Sequence, residues 1–318
     1  MSRILSFVCL FFILSFLSFV SAPGKAAEIY TVDASPDSGF HWPYMLLIPD
    51  SITSPEDGTP LLVAPNNTGR TSDSFAVHLE AANKYIHMIQ PVANQLHIPI
   101  LMPVFPRPGS EWRSYIHALD RETLTASSER LIRIDKQLVA MIKHAQASLG
   151  ERLGPINPKS VFLGFSASGM FVNRFVFLHP DAVLAGIIGS PGGWPLAPVS
   201  HYQKKKLRFP IGIADLDSLV GEPLNMERVR TLPLYFFLGD KDENDSVVYE
   251  DSYDISDRNV IMELFGASLT KRWTIAEAMY RQAGYTKTEF HLFSDIGHTV
   301  APEMQQGIMA FILSTMNN

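Results

Sequence analysis

Two serines stand one residue apart at the end of an apolar run, Val161-Phe162-Leu163-Gly164-Phe165-Ser166-Ala167-Ser168-Gly169. A serine hydroxyl can serve as a nucleophile when a tight strand-to-helix turn holds it out and a base faces it. The G-x-S-x-G spacing that builds such a turn asks for glycine at 168. This chain carries Ser168 there, with Gly169 one place late. A strict match arises by chance in about one chain of this length in ten, so the surrounding pattern must carry the assignment. An apolar run leads into the turn, a helical pattern leads out, and the flanking residues are small. With Ser166 as nucleophile the crowded position holds Ser168; with Ser168 as nucleophile it would hold Met170. Ser166 is the better register. The plain alternative is a small-residue turn without chemistry.

A nucleophilic serine needs a base, and the base needs an orienting acid. The histidine is expected after the last strand and the acid after the strand before it, in the chain order Ser, acid, His. His298 follows the last apolar run, Phe290 to Phe293, through Ser294-Asp295-Ile296-Gly297. His291, inside that run, reads as a packed residue. Behind Leu234 to Leu238 comes Gly239-Asp240-Lys241-Asp242-Glu243-Asn244-Asp245, where G-x-x-D points to Asp242, with Asp245 second. A calcium loop is the rival reading of this acidic stretch, but it lacks the regular alternation and closing glutamate of an EF-hand. Gly266-Ala267-Ser268 imitates the start of the serine motif; after a helical run, Gly266 reads as a helix stop.

The elements that must position these residues follow from periodicity. Short apolar runs at 45–48, 61–64, 98–104, 161–163, 185–188, 234–238 and 290–293 read as strands buried on both faces. Helical patterns lie between them: Phe75 to Ile89, the stripe Leu131, Ile134, Leu138 and Ile142, Met170 to Leu178, Trp273 to Arg281, and a last helix around Met304 to Ile312. The expected fold is α/β, a mostly parallel twisted sheet with helices on both faces. Residues 192–232 break the alternation and read as a small insertion or lid, with an extra strand expected at Phe209 to Ile213.

An acyl-transfer centre also needs two N–H donors for the oxyanion. Ala167, the residue after the nucleophile, supplies one. The loop Pro65-Asn66-Asn67-Thr68-Gly69 supplies the other, with Asn67 preferred over Asn66. Both Asn66-Asn67-Thr68 and Asn244-Asp245-Ser246 match the glycosylation sequon; on site loops these matches read as incidental. Trp112, Tyr115 and His117, in the loop after 98–104, and Trp194 in the insertion are candidates to line a substrate pocket. Half-buried loop packing is the plain reading of each.

In element order, elbow, acid loop and terminal Gly297-His298, the chain resembles the α/β-hydrolase superfamily over nearly the whole of residues 28–318. Within it, the single-domain form is similar to polyhydroxybutyrate depolymerase-like and feruloyl-type esterases. The resemblance implies cleavage of small-molecule or polymeric carboxylic esters through an acyl-enzyme, with no metal or organic cofactor. The departures are Ser168 in the elbow and asparagines where many members carry His-Gly-Gly. A serine peptidase with the same triad and a non-catalytic binding member are the competing classes.

Bulk properties bound the rest. At 318 residues with 46% hydrophobic content, the chain can bury a large core. A net charge of -6 argues against nucleic acid as the main partner, which would require clustered Lys and Arg. Lys204-Lys205-Lys206 reads as a solvated loop or helix end. Arg3, the apolar run Ile4 to Val20 and the small residues at Ser21-Ala22 and Ala26-Ala27 read as a signal peptide over residues 1–27. An uncleaved membrane anchor is its rival. The expected destination is secreted or extracytoplasmic, with no stable membrane insertion after cleavage. Cys9 is the sole cysteine and would leave with that segment, so disulfides and thiol chemistry are not expected.

Overall fold

In the computed structural model, residues 27–249 and 252–316 are described. The expected signal segment, apart from Ala27, and Cys9 lie outside them. Eight strands form one sheet in the order β1-β2-β4-β3-β5-β6-β9-β10. They are β1 (Glu28–Val32), β2 (Tyr44–Ile48), β3 (Leu62–Val63), β4 (Ile100–Pro103), β5 (Ser160–Phe165), β6 (Val183–Gly189), β9 (Leu234–Gly239) and β10 (Thr288–Phe293). β2 runs antiparallel to β1 and β4, and every other pairing is parallel. β1 escaped the sequence reading because Glu28-Ile29-Tyr30-Thr31-Val32 is a half-exposed edge strand and lacks an unbroken apolar run.

Helices cover both faces. One core layer joins α1 (Phe75–Leu96) and α9 (Pro302–Met316) to the sheet through Ile86, Leu96, Ile308 and Ile312. The other joins α3 (Ile134–Leu153), α4 (Ala167–Leu178) and α8 (Leu269–Gln282) through Leu138, Phe171, Phe175 and Tyr280. α2 (Arg121–Leu124) is one turn, capped by Asp120. α1 runs past its expected end at Ile89 and through Pro91. A proline inside a helix costs about 3 kcal/mol, but the buried stripe continues through Ala93 and Leu96 and holds the last turns in place. The helical run before Gly266 is α7 (Ile255–Phe265), and Gly266 ends it at φ 81°.

Between β6 and β9 the chain leaves the sheet. It forms a small hairpin, β7 (His201–Tyr202) and β8 (Lys205–Lys206), then α5 (Leu216–Val220) and α6 (Met226–Arg230). The lysine run therefore sits on a hairpin. The strand expected at Phe209 to Ile213 is absent: those residues turn, and the alternation of apolar side chains reflects Phe209 and Ile211 packing into two different cores. Their backbone groups are satisfied by a loop, with Ala197 N–H donating to Ile211 O at 2.9 Å and Ile213 N–H to Val199 O at 3.2 Å. A third core layer packs this insertion against α7 and α8 through Trp194, Leu207, Ile211, Phe265 and Ala276. Among the described residues no helix is long and apolar enough to cross a membrane.

Candidate active site

Three loops at the carboxyl ends of β5, β9 and β10 converge. The first is the turn from β5 into α4. Ser166 sits at φ 61° and ψ -126°, a backbone conformation that costs an L-residue on the order of 1–3 kcal/mol. Its surroundings hold it there. Ser166 N–H donates to Gly189 O at 2.9 Å, and Ser166 O accepts from Met170 N at 3.0 Å.

The departure from G-x-S-x-G has a steric explanation. A Cβ on Gly164 would lie 2.1 Å from Ser168 O, and one on Gly169 would lie 2.4 Å from Gly189 O. Helix and strands thus approach most closely at 164 and 169, and position 168 has room for a hydroxyl. Ser168 is buried, donating to Phe165 O at 2.9 Å and accepting from Phe165 N at 3.0 Å. It ties the first turn of α4 to the end of β5.

The second and third loops are stitched together. Asp240 N–H donates to Phe293 O at 2.8 Å and Lys241 N–H to Ile296 O at 2.9 Å. Asp295 N–H donates to Asp240 Oδ1 at 2.7 Å. This pairing brings His298 Nδ1 to 2.9 Å from Asp242 Oδ2. The Asp242 carboxylate is almost wholly buried, whereas His298 keeps 29% of its side chain exposed. The imidazole packs on the Phe165 ring at 4.7 Å, beside the serine turn. Asn244, which sequence reasoning passed over, completes the group. Its Nδ2 lies 3.3 Å from Ser166 Oγ and 3.1 Å from His298 Nε2.

Asp245 has a different environment. Its carboxylate accepts from buried Arg272 Nη1 at 2.9 and 3.0 Å and from Val247 N at 3.0 Å. Arg272 also donates to Gly266 O at 2.7 Å, so this ion pair fastens α8 to the loop after β9. Among the described residues no cluster of three or more His, Cys, Asp or Glu side chains could hold a metal ion.

The remaining site candidates scatter. Ala167 opens α4, and its N–H is the first of that helix. Asn67 Oδ1 accepts from Gly69 N at 3.1 Å, shaping the loop after β3. Asn66 is buried and bonds both backbone groups of Phe105, at 2.9 and 3.0 Å. His117 is buried too, with Nε2–H donating to Phe105 O at 2.9 Å and Nδ1 accepting from Thr68 N at 3.3 Å. Burial pulls its pKa down to about 3, so it is a neutral strut between the loops after β3 and β4. His78, also lowered by burial, braces the loop after β3 through Thr68 Oγ1 and Ser72 O, both at 2.9 Å. No short motif marks either strut; their partners arrive from other loops.

Tyr115 is mostly buried, with the Arg107 guanidinium 3.6 Å from its ring centre. Trp194 is in the third core, stacked on Phe265 at 3.9 Å and donating to Ile211 O at 2.8 Å. Trp112, at 40% exposure, is the open one of the four. His291 is not in a packed interior: β10 is an edge strand, and the ring stacks half-exposed on Tyr235 while pairing with Glu289 at 2.9 Å.

With this geometry in hand, the likeness to solved structures is decisive for the fold. A poly(aspartic acid) hydrolase-1 from Sphingomonas sp. KT-1 superposes with a TM-score of 0.60 at 19% identity, covering 92% of this chain and 100% of its own. A poly(3-hydroxybutyrate) depolymerase from Bordetella parapertussis gives 0.58 at 19% identity, over 92% and 89%. The fold is that of the α/β-hydrolases. No family model and no curated protein matches the sequence. In this fold the Ser166 turn joins the carboxyl end of β5 to α4, and the stitched loops after β9 and β10 meet beside it.

Proposed function

We propose that this α/β-hydrolase fold is a serine hydrolase that cleaves carboxylic esters through an acyl-enzyme. The observation that carries the reading is the convergence of three strand ends on one point. Ser166 stands on a left-handed turn, and His298 faces the same turn with Nδ1 held at 2.9 Å by buried Asp242. Ser166 Oγ attacks the ester carbonyl, and its proton passes to His298 Nε2. Asp242 keeps the imidazole in the tautomer whose Nε2 is free of a proton, and it stabilises the imidazolium that forms. The oxyanion meets the Ala167 N–H at the start of α4, with a second donor from Asn67. His298 then protonates the leaving alcohol. Water, deprotonated by the same histidine, releases the acid and restores Ser166.

The substrate is a small-molecule or polymeric ester; one of the similar structures is named for the polyester poly(3-hydroxybutyrate), which supports testing polyesters first. A signal peptide over residues 1–27 would deliver the enzyme outside the cytoplasm. Labelling with a fluorophosphonate, followed by peptide mass spectrometry, tests the central step: Ser166 is expected to carry the adduct and Ser166→Ala to carry none. Adduct on another residue would sink the assignment, and no adduct would favour a binding protein. A panel of p-nitrophenyl esters beside aminoacyl anilides then separates ester from peptide cleavage.

A further inference from the structure

Ser166 and His298 share one neighbour, the Asn244 carboxamide. Among the described residues no hydrogen bond joins Ser166 Oγ to His298 Nε2; each instead accepts from Asn244 Nδ2, at 3.3 and 3.1 Å. The orientation of that amide follows from its neighbours. His298 Nδ1–H is spent on Asp242 Oδ2, so Nε2 presents a lone pair and must meet a donor, which is the NH2 end of the carboxamide. Its two hydrogens serve the two acceptors. The backbone of Asn244 is pinned as well, its N–H donating to Asp242 Oδ1 at 2.9 Å. Asn244 thus touches all three members of the centre.

We propose that Asn244 is a gate of the catalytic centre: its carboxamide occupies the lone pair of the base in the resting site and withdraws when an ester binds. The inference rests on the roles of Ser166 and His298 proposed above. In acylation the Oγ–C bond forms, the carbonyl electron pair moves onto oxygen, and the Oγ proton goes to Nε2. Nε2 has a single in-plane lone pair. While that pair accepts from Asn244, the serine proton has no acceptor and the hydroxyl is not activated. The backbone pin leaves the side chain as the part that moves, so the gate opens by rotation of the carboxamide and Asp242 stays in place.

The test compares the full-length protein with Asn244→Ala and with Asn244→Ser, both of which keep the backbone N–H that holds Asp242. The readout is the second-order rate of Ser166 phosphonylation by a small alkyl fluorophosphonate, with the adduct located by mass spectrometry and folding followed by thermal melting. Removing one competing hydrogen bond is expected to raise the rate about threefold to tenfold in both variants, with the melting transition still cooperative. A residue that only supports the loop would leave the rate unchanged or lower it. An unchanged or lower rate in a variant that melts cooperatively overturns the gate. Should one variant fail to fold, the other decides by the same criterion; failure of both overturns the gate in favour of a structural role. A wild type that takes no label contradicts the hydrolase reading itself, which separates the two failures.

Discussion

Gly239 lies directly beneath Ile296: a Cβ on Gly239 would stand 2.1 Å from the Ile296 carbonyl oxygen and 2.9 Å from that of Gly297. Both obstacles are backbone, so neither can rotate aside. The absence of a side chain at the end of β9 is what lets the histidine loop cross close enough for His298 to meet Asp242. Gly239→Ala is therefore expected to push the two loops apart, lowering kcat by at least tenfold or so and stability by about 1–3 kcal/mol. Ester hydrolysis and thermal melting on the same preparation check both. Unchanged turnover would mean that the crossing does not set the His298–Asp242 distance.

The two serines of the turn after β5 are expected to differ in role. Ser168 accepts from Phe165 N–H and donates to Phe165 O at 3.0 and 2.9 Å, both half-buried. Ser168→Ala leaves those groups without a partner, a loss of about 1–3 kcal/mol. Labelling of Ser166 by fluorophosphonate should persist in this variant. Denaturant unfolding measures the loss; disappearance of the label would show that Ser168 is itself the nucleophile.

The two aspartates of the acid loop should fail in different ways. Asp242→Asn keeps the shape and loses the charge that orients His298, so kcat is expected to fall at least a hundredfold or so with the fold intact. Asp245→Asn leaves Arg272, which is fully buried, short of its ion-pair partner. Breaking such a pair costs on the order of 3–5 kcal/mol. Its kcat should stay within about tenfold of wild type at temperatures where it remains folded. Steady-state kinetics together with melting curves distinguish the two, and the reverse pattern would transfer the orienting role to Asp245.

Acid should unfold the protein in part through its buried histidines. Burial draws the pKa of His117 from 6.5 down to about 3. The unfolded chain therefore takes up a proton below about pH 6.5 that the folded chain refuses until about pH 3. Stability is thus lost as pH falls through that window, by up to about 1.4 kcal/mol per pH unit for one such group. His78, shifted in the same direction by burial, adds to the slope. His117→Phe should be less stable at neutral pH, because it abandons Phe105 O and Thr68 N–H, yet its unfolding free energy should depend less steeply on pH. Urea melts at several pH values between 4 and 7 measure the slopes. Equal slopes would mean that His117 is not the neutral strut its burial implies.

Periodicity and local spacing were enough to read the central strands, the order in which the loops carrying Ser166, Asp242 and His298 leave them, and the helix beginning after Ser166. Each is written in neighbouring residues: unbroken apolar runs make central strands, and a strand running into small residues and then a helical stripe makes an elbow. Contacts between distant segments were beyond that reach. Which of Asp242 and Asp245 lies against His298 is a tertiary matter: Asp242 meets His298 Nδ1, and Arg272, 27 residues past Asp245, claims Asp245 for an ion pair. The fate of His117 turned on Phe105 and Thr68, which bury it as a strut, and that of Trp194 on Phe265 across the third core. Asn244 carries no motif beyond an incidental sequon match, and only the crossing of the β9 and β10 loops sets its amide against Ser166 and His298. Burial and hydrogen-bond partnership belong to the folded chain, because a side chain's environment is made by residues that sequence distance does not bring together.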